Sequence, residues 1–577
     1  MKILPPVSIE ARRLVPSPWD VIAAALVLGF IVLFADASRT VIKPLATITH
    51  APISLDPSNL PHYALLTAMR MLIALIVSLI FTFTYATWAA KSPRASTLLI
   101  PLLDILQSVP ILGFLSITVV FFLSLAPGRI LGAEFAAVFA IFTSQAWNMA
   151  FSFYQSLRTV PDEMMEAGRM FGMNAWARFW RIEVPFGMPQ LIWNMMLSMS
   201  GAWFFVVASE AISVGNTTIT LPGVGSYIAL AIEQRDLIAV GWAIGTMLVV
   251  ILIYDQLLFR PLVAWADRFR FEQEAGVLPP RSWVLDVLRR SRLVDRLTRP
   301  FASLWRHLLV ARWRAESPAP KSRPPHSQQH VWITFQWAAI VVALAVVALW
   351  QVARFVTQDI ALADVFTTLL LGLATLVRVI VLIAIASLIW VPIGVWVGTR
   401  PYAANLVQPV AQFLAAFPAN LLFPIAVSVI VALRLDPNIW LSPLMILGTQ
   451  WYILFNVVAG AAAIPAELRA AGANFRVRGW LWWRRIALPA VLPYYITGAI
   501  TASGGSWNAS IVAEVASWGN QHLEAAGLGA YIARKTEAGD FPHIVLGIAV
   551  MSFFVVLVNR TFWRPLYLYA ERKFRVG

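Results

Sequence analysis

The sequence predicts an all-α integral membrane protein with about twelve transmembrane helices, arranged as two parallel six-helix repeats. Three observations support this fold class. The 577 residues are 59% hydrophobic and 13% charged, which is far more apolar than a soluble protein of this length. Apolar runs of roughly 20 residues, long enough to cross a bilayer, recur along the chain. A charged segment between two of these runs returns 304 positions later, so the chain is a duplication.

The apolar runs form two series of six. The first series lies near 21–35, 64–88, 97–124, 134–157, 186–208 and 238–259. The second series lies near 331–350, 367–397, 405–433, 438–460, 490–513 and 541–562. Because six is an even number, both series enter the membrane from the same side, which makes the repeat parallel rather than inverted.

The chain divides into three regions on this basis. Residues 1–263 form a first transmembrane domain, 264–330 a basic cytoplasmic linker, and 331–577 a second transmembrane domain. No convincing small-residue cleavage site follows the first apolar run, so we expect a retained span rather than a signal peptide. The linker is amphipathic near 283–313, and we expect disorder after that stretch.

The basic residues predict the orientation of the chain. With the N-terminus in the cytoplasm, 34 of the 44 Lys and Arg residues lie on the cytoplasmic side, eight lie outside and two lie within spans. The opposite topology would reverse this bias. Both termini and both copies of the charged segment are therefore predicted to be cytoplasmic.

The duplicated charged segment has the features of a short surface helix. Its first copy begins at Pro161 with Asp162 and Glu163 in the first turn, and its second copy begins at Pro465 with Glu467. Proline suits the first helical turn, and the helix dipole favours carboxylates near a helix N-terminus. The copies present different charge, because Glu166 and Gly172 of the first copy correspond to Ala470 and Arg476 of the second.

The spacing within this segment resembles that of a known family. The first copy has Glu166-Ala167-Gly168, three residues, Gly172, nine residues and Ile182-Glu183-Val184-Pro185, and the second has Ala471-Gly472 and Ile486-Ala487-Leu488-Pro489. This pattern resembles the cytoplasmic coupling loop of type I binding-protein-dependent ABC importer permeases. The alternative interpretation is a pair of amphipathic surface helices between membrane spans.

The resemblance implies partners and site residues. Two ABC ATPase subunits, identical or forming a heterodimer, would dock on the two loops and carry the ATP and Mg, so that no cofactor lies on this chain. A periplasmic or lipid-tethered binding protein would deliver a solute for passage across the bacterial inner membrane. Membrane lipid is a further partner, and nucleic acid is not expected. The implied ATPase-coupling residues are Glu163, Glu166, Ala167, Gly172, Glu467, Ala471, Gly472 and Arg476.

Two matched glycine-containing turns narrow the resemblance to one branch of the permease family. The turns Gly223-Val-Gly225-Ser-Tyr227 and Gly527-Leu-Gly529-Ala-Tyr531 follow the fifth apolar run of each half. They look like the outer loop of the nitrate, sulfonate, taurine and bicarbonate branch of the family. Membership of that branch implies a small anionic solute.

Three matched residue pairs are candidates for the translocation path. Arg70 and Arg378 lie inside apolar runs, where an arginine is costly unless it is paired, faces water or reaches the interface. Together they would recognise an oxyanion; alternatively, each is an interfacial anchor or bonds to another helix. The two tryptophans either line the path or only pack beside small residues, and the two glutamates lie where a span meets the outside. The six candidates are Arg70, Arg378, Trp203, Trp507, Glu210 and Glu514.

Other functions are disfavoured by what the sequence lacks. It has no cysteine, and its seven histidines show no metal-ligand spacing. It has no Gly-x-x-x-x-Gly-Lys-Ser/Thr motif and no catalytic set, so we expect a transport subunit rather than an enzyme. The alternative is a secondary transporter built from parallel repeats. That class needs titratable residues in mid-membrane, whereas the acidic residues of this chain lie overwhelmingly in loops.

Overall fold

The computed structural model describes residues 53–574, except for 109–110, 128, 215–216, 270–281, most of 311–359 and 520, together with a few positions between 19 and 25. The spans predicted over 21–35 and 331–350 lie almost wholly outside the described residues. Within the described part, six helices are long and apolar enough to cross a membrane, and three bent helix pairs bring the number to as many as nine. The prediction of an all-α membrane fold is confirmed.

The first half contains ten α-helices and one β-hairpin among its described residues. The helices are α1 Leu60–Lys91, α2 Pro93–Ser108, α3 Ile111–Leu125, α4 Ile130–Arg158, α5 Asp162–Met170, α6 Ala175–Arg178, α7 Val184–Glu210, α8 Val224–Glu233, α9 Leu237–Tyr254 and α10 Arg260–Ala266. The antiparallel strands are β1 Ala211–Val214 and β2 Thr217–Thr220. Short 3₁₀ turns lie at Pro57–Asn59 and Asp267–Phe269. The described part of the linker adds α11 Trp283–Arg290 and α12 Arg292–Val310.

The second half repeats this order. Its helices are α13 Leu362–Gly398, α14 Pro401–Ala416, α15 Phe423–Ala432, α16 Pro437–Trp440, α17 Gln450–Ala462, α18 Ala466–Asn474, α19 Gly479–Trp482, α20 Leu488–Ala513, α21 Leu528–Glu537, α22 Phe541–Val558 and α23 Arg564–Phe574. The antiparallel strands are β3 Val515–Trp518 and β4 Gln521–Glu524. Short 3₁₀ turns lie at Ala419–Leu422 and Ser442–Met445.

One central helix organises each half. Helix α4 packs against both α1 and α7, and α17 packs in the same way against α13 and α20. Helix α4 suits this position because Ala133, Ala136, Ala137 and Ala140 are all buried along it. Small side chains let helix backbones approach closely, which matters in a membrane because van der Waals packing drives helix association there. The buried core is continuous across both halves.

Four π-helical turns recur at matched places in the two halves. They are Phe179–Glu183, Asp255–Phe259, Trp483–Ala487 and Asn559–Trp563. Each ends two residues before a proline, namely Pro185, Pro261, Pro489 and Pro565. Proline has no N–H to donate, and its ring clashes with the carbonyl group four residues earlier in a regular helix. The wider π-turn changes this local hydrogen-bonding register, so the proline is accommodated without ending the helix.

Several predicted spans are bent rather than straight. The run predicted over 405–433 is two helical segments at 78°, and the run over 438–460 is two segments at 45°. At the sharper bend, Phe417 and Pro418 have extended backbone, as expected for a proline and the residue before it. The run predicted over 97–124 is likewise divided, into α2 and α3. The length and apolar composition of these runs predicted helices. The bend between the two segments of each run depends on tertiary packing, which the sequence pattern does not show.

Candidate functional site

The two duplicated charged segments form short exposed helices, which we call the coupling helices. The first, α5, ends in paired hydrogen bonds: the Met173 N–H donates to the Gly168 carbonyl at 3.0 Å, and the Gly172 N–H donates to the Arg169 carbonyl at 2.9 Å. This is a Schellman motif, which needs a left-handed residue just after the helix. Gly172 supplies it with φ of +68°. The glycine is therefore a helix terminator rather than a flexible joint.

The second coupling helix, α18, ends in the same way with a less suitable residue. The Val477 N–H donates to the Gly472 carbonyl at 2.8 Å, and the Arg476 N–H donates to the Ala473 carbonyl at 3.0 Å. Arg476 stands where the first half has Gly172 and has φ of +52°. A side chain in this conformation costs roughly 1–2 kcal/mol. The two coupling helices thus share one backbone geometry and differ in charge.

We expect Arg476→Gly to stabilise the second coupling helix by about 1 kcal/mol, because glycine adopts the left-handed region without steric cost. The reciprocal change, Gly172→Arg, should destabilise the first by a similar amount. Hydrogen exchange of the α18 and α5 amides measures both effects locally. Faster exchange in α18 after Arg476→Gly would contradict this assignment.

A glycine within each coupling helix contacts an isoleucine of the same loop. A Cβ added to Gly168 would lie 2.6 Å from Ile182 Cδ1, and one added to Gly472 would lie 2.7 Å from Ile486 Cδ1. Both distances are shorter than a methyl contact allows, so a side chain at either position would displace the tip of the isoleucine. The spacing of the motif thus brings a glycine of the coupling helix into contact with an isoleucine of the same loop.

The predicted coupling residues occupy different places in these loops. Glu163, Glu166, Ala167, Gly172, Glu467, Ala471 and Arg476 are exposed, whereas Gly472 is buried. Sequence reasoning did not select the aromatic side chains of the loops with the highest exposed fractions, which are Phe171 at 79% and Phe475 at 81%. The signal was available, because these two phenylalanines match in the repeat. Exposed apolar side chains of this size beside charged residues mark an interaction surface.

The predicted path residue Arg70 lies in a buried ionic cluster, which we call the first cluster. Its Nε and Nη2 donate to the two carboxylate oxygens of Glu134, both at 2.6 Å, and its Nη1 donates to Glu210 at 2.7 Å. The same Nη1 donates to the Pro222 carbonyl at 2.9 Å. This cluster joins α1, α4 and α7. Sequence reasoning missed Glu134, although a carboxylate in an apolar run signals a buried partner.

The first cluster also explains the matched glycine-containing turns. Glu210 accepts hydrogen bonds from the Thr67 hydroxyl and from the Gly225 N–H, both at 2.7 Å. A Cβ on Gly223 would lie 2.3 Å from the Glu210 carboxylate. The turn is glycine-containing because its backbone closes directly over a buried carboxylate. Its similarity between the halves thus has a structural cause.

The second cluster has the same geometry and one carboxylate fewer. Arg378 Nη1 donates to Glu514 at 3.0 Å, and the Thr375 hydroxyl and the Gly529 N–H donate to Glu514 at 2.8 Å each. Asn438 corresponds to Glu134, which lies 304 positions earlier in the chain. The Oδ1 of Asn438 accepts a hydrogen bond from Arg378 Nη2 at 3.3 Å. The Arg378 side chain is 14% exposed, against 3% for Arg70. The second cluster is therefore less buried and carries less negative charge.

The hypothesis that these arginines border an anion path receives no support from this geometry. Both guanidinium groups bond to carboxylates between helices, which corresponds to the alternative interpretation of a helix–helix contact. Trp203 is buried in a T-shaped contact with Tyr254, with ring centroids 5.5 Å apart. Trp507 is also buried. Trp203 lines a cavity beside Tyr254, and Trp507 lines a different cavity.

That cavity, which we call the central cavity, lies where the two halves meet and has a volume of about 330 Å³. Among the described residues that line it, none carries a formal charge. Asn148, Ser198 and Thr143 of the first half face it, as do Asn508 and Thr449 of the second. Its aromatic lining residues include Trp147, Phe204, Phe417, Tyr452, Trp507 and Trp563. The lining thus offers neutral hydrogen-bonding groups and aromatic surfaces.

Direct hydrogen bonds join the halves around the central cavity. The Ile111 N–H donates to Asn508 Oδ1 at 2.7 Å, and Asn420 Nδ2 donates to the Phe204 carbonyl at 3.2 Å. The Tyr452 hydroxyl donates to the Leu197 carbonyl at 3.3 Å. These bonds use side chains of one half and backbone groups of the other. A relative movement of the halves would break them and reshape the cavity together.

A duplicated helical membrane protein whose halves meet at an uncharged cavity, with two exposed helices at matched positions, has the architecture of a transport permease. A family model described as "Binding-protein-dependent transport system inner membrane component" matches residues 82–260 and again residues 390–573. The chain belongs to this family and carries its domain twice. Members of this family are inner membrane components of binding-protein-dependent transport systems. The chain spans just under two thirds of the length of the bicarbonate permease relatives that it matches.

Curated relatives agree with this assignment. The chain is 28% identical over 188 residues to the bicarbonate transport system permease protein CmpB of Synechococcus elongatus, covering 33% of this chain and 64% of that protein. It is 24% identical over 202 residues to the nitrate import permease protein NrtB of Synechocystis sp., covering 35% and 70%. It is 25% identical over 191 residues to the glycine betaine/proline betaine permease protein ProW of Escherichia coli, covering 33% and 50%. The resemblance inferred from the coupling loop is confirmed.

Proposed function

We propose that the central cavity is the translocation path for a small solute bearing an oxyanion group, and that ATPase subunits docked on the two coupling helices open and close it. The position of the cavity at the contact between the halves carries the proposal, because a change in their relative position alters the cavity directly. ATP and Mg belong to the partner subunits, and a binding protein delivers the solute.

The chemistry of the cavity suits a transient oxyanion site. Bicarbonate, nitrate and betaines, after which the relatives are named, all carry oxygen acceptors on a planar group. Amide and hydroxyl groups such as those of Asn148 and Thr449 donate to such oxygens. A transport site must bind strongly enough to admit the solute and weakly enough to release it. Neutral donors meet this requirement better than a fixed guanidinium, which the first and second clusters already hold in ion pairs.

Replacing Asn148 with aspartate tests the sign of the solute charge. A carboxylate in the cavity repels an anion, and two like charges 4 Å apart at an effective dielectric constant of 20 interact by about 4 kcal/mol. We expect ATP-driven uptake to fall about tenfold or more in proteoliposomes containing the partner ATPase and binding protein. Unchanged uptake, or an increase, would contradict an anionic solute.

The chain offers a matched control for this substitution. The Asn148 amide donates to the Ser198 hydroxyl at 2.9 Å, and the Asn194 amide donates to the Ser152 hydroxyl at 2.8 Å. Asn194 is not among the residues that line the central cavity. Asn194→Asp therefore places the same charge beside the same partner type outside the path, and it should leave uptake close to that of the unaltered protein.

The orientation with both termini in the cytoplasm is part of the proposal, supported by the bias of 34 of 44 basic residues. Because the chain has no cysteine, single cysteines can be labelled with a membrane-impermeant maleimide in intact cells. Labelling is expected at the outer positions and blocked at the inner positions. Labelling at Ala175 or Lys321 would reverse the assignment. The outer positions are Asn59, Pro127 and Asp436, and the inner positions are Ser92, Ala175 and Lys321.

A further inference from the structure

The described part of the linker is two helices docked on the first half. Helix α11 begins at Ser282, whose hydroxyl accepts from the Leu285 N–H at 3.3 Å, and α12 begins after Ser291, whose hydroxyl accepts from the Val294 N–H at 3.3 Å. Helix α11 contacts α10, and α12 contacts α6, which follows the first coupling helix. The linker helices therefore lie on the side of the molecule that carries the coupling helices.

A carboxylate from the start of the chain fixes the N-terminus of α12. Asp20 Oδ1 accepts from the Ser291 hydroxyl at 2.8 Å and from the Leu293 N–H at 2.7 Å. Asp20 is buried, and a carboxylate at a helix N-terminus is favoured by the helix dipole. The guanidinium of Arg290 lies 5.2 Å from the ring centroid of Trp19. Since Asp20 directly precedes the apolar run 21–35, α12 starts beside the residue at which the sequence predicts the first span to begin.

Helix α12 leaves an apolar stripe exposed beyond this point. Leu293, Leu297 and Leu304 are 41%, 59% and 57% exposed, and their spacing of four and seven residues places them on one face. The opposite face carries Asp295 and Arg299, paired at 2.5 Å and both exposed. Three exposed leucines on one face of a charged helix are unfavourable in water. They are favourable at the boundary between the headgroups and the acyl chains of a bilayer.

The linker helices carry a net positive charge, which is complementary to an anionic membrane surface. Between 283 and 310 there are six arginines and two aspartates, so the segment carries a net charge of +4 (six minus two). Each basic residue near an anionic membrane surface adds electrostatic attraction to that surface. Apolar stripe, basic charge and a start beside the predicted first span occur together on α12.

We propose that α12 is a binding surface for anionic phospholipid: its leucine stripe enters the boundary between headgroups and acyl chains, and arginines that flank the stripe, such as the exposed Arg296, contact lipid phosphates. The site would hold the linker against the leaflet on the coupling-helix side, next to the first coupling loop. The inference needs neither a solute nor an ATPase, so it stands or falls separately from the proposed transport function.

The absence of native cysteine makes a direct test possible with the full chain. A spin label at Leu297→Cys is compared in nanodiscs of phosphatidylcholine alone and with about 30% phosphatidylglycerol. Collision with oxygen and with a water-soluble nickel chelate reports its depth. With anionic lipid, the label should lie about 5–10 Å below the phosphate level. The control is Thr298→Cys, a neutral exposed position turned away from the leucine stripe, whose label should stay accessible to the chelate.

Each result decides the proposal. Burial of the Leu297 label that requires anionic lipid and weakens with salt supports it, as does loss of that burial when Arg292 and Arg296 are replaced by Gln. A label accessible to the chelate in both lipid compositions overturns it. Equal depth in both compositions overturns the lipid-charge specificity. Burial only after the ATPase is added assigns the stripe to a protein partner and likewise overturns the proposal.

Discussion

Replacing Arg70 with methionine is expected to destabilise the first half by about 3–5 kcal/mol, because it leaves two carboxylates buried without a counter-charge. Glu134 and Glu210 both point at the guanidinium, and Arg70 is only 3% exposed. Arg378→Met should cost less, since Arg378 faces one carboxylate and is 14% exposed. Thermal unfolding of the purified protein in detergent, followed by size-exclusion chromatography, measures the difference.

Two further variants make this comparison specific. Arg70→Lys should recover only part of the loss, because an ammonium group cannot make the paired contacts with Glu134. Arg400→Met removes an exposed arginine whose guanidinium lies near the Trp396 ring, and it should change the unfolding temperature little. If Arg70→Met unfolded at the same temperature as Arg400→Met, the first cluster would have no structural role.

Charged replacement of the exposed phenylalanines on the coupling loops is expected to abolish coupling. Phe171 and Phe475 are the most exposed aromatic groups of these loops, and buried aromatic anchors dominate protein interfaces with costs of about 2 kcal/mol or more when lost. Phe171→Asp and Phe475→Asp should each weaken ATPase binding roughly 30-fold or more, which corresponds to that energy. Co-purification and substrate-stimulated ATP hydrolysis measure the effect.

The control for these variants is Tyr402→Asp, which places a carboxylate at another highly exposed aromatic position, near the start of α14. It should leave co-purification intact. Retained ATPase association in the Phe171→Asp, Phe475→Asp double variant would show that the partner docks elsewhere. A loss confined to one loop would show that the different charges of Glu166 and Arg476 matter more than the shared backbone.

The coupling helices were predictable because their information is local. Proline at the start and acidic residues in the first turn specify where both short helices begin, and a glycine after the last turn specifies where the first one ends. The duplication also indicates which positions of the loop are constrained, because these keep the same residue in both copies. Gly168 and Gly472 are one such pair. The sequence pattern does not reveal why a glycine is kept at this position. The reason is its contact with Ile182 or Ile486, which forms only in the folded loop.

The ionic clusters and the linker docking depend on contacts between distant positions. Arg70 and Glu134 are 64 residues apart, and Asp20 and Ser291 are 271 residues apart. No periodicity within one helix encodes such pairs. Arg70 therefore looked equally suited to a path or to a helix contact until its partners were known. The neutral central cavity was not foreseen for the same reason, because both halves contribute to its lining.

Energy dependence of uptake tests the central claim most directly. Proteoliposomes containing this chain, its partner ATPase and its binding protein are loaded with ATP, and solute uptake is measured with and without ionophores that collapse ion gradients. We predict uptake that requires both ATP hydrolysis and the binding protein and that persists when the gradients are collapsed. Uptake that proceeds without ATP and stops with the ionophores would identify a secondary transporter and contradict this account.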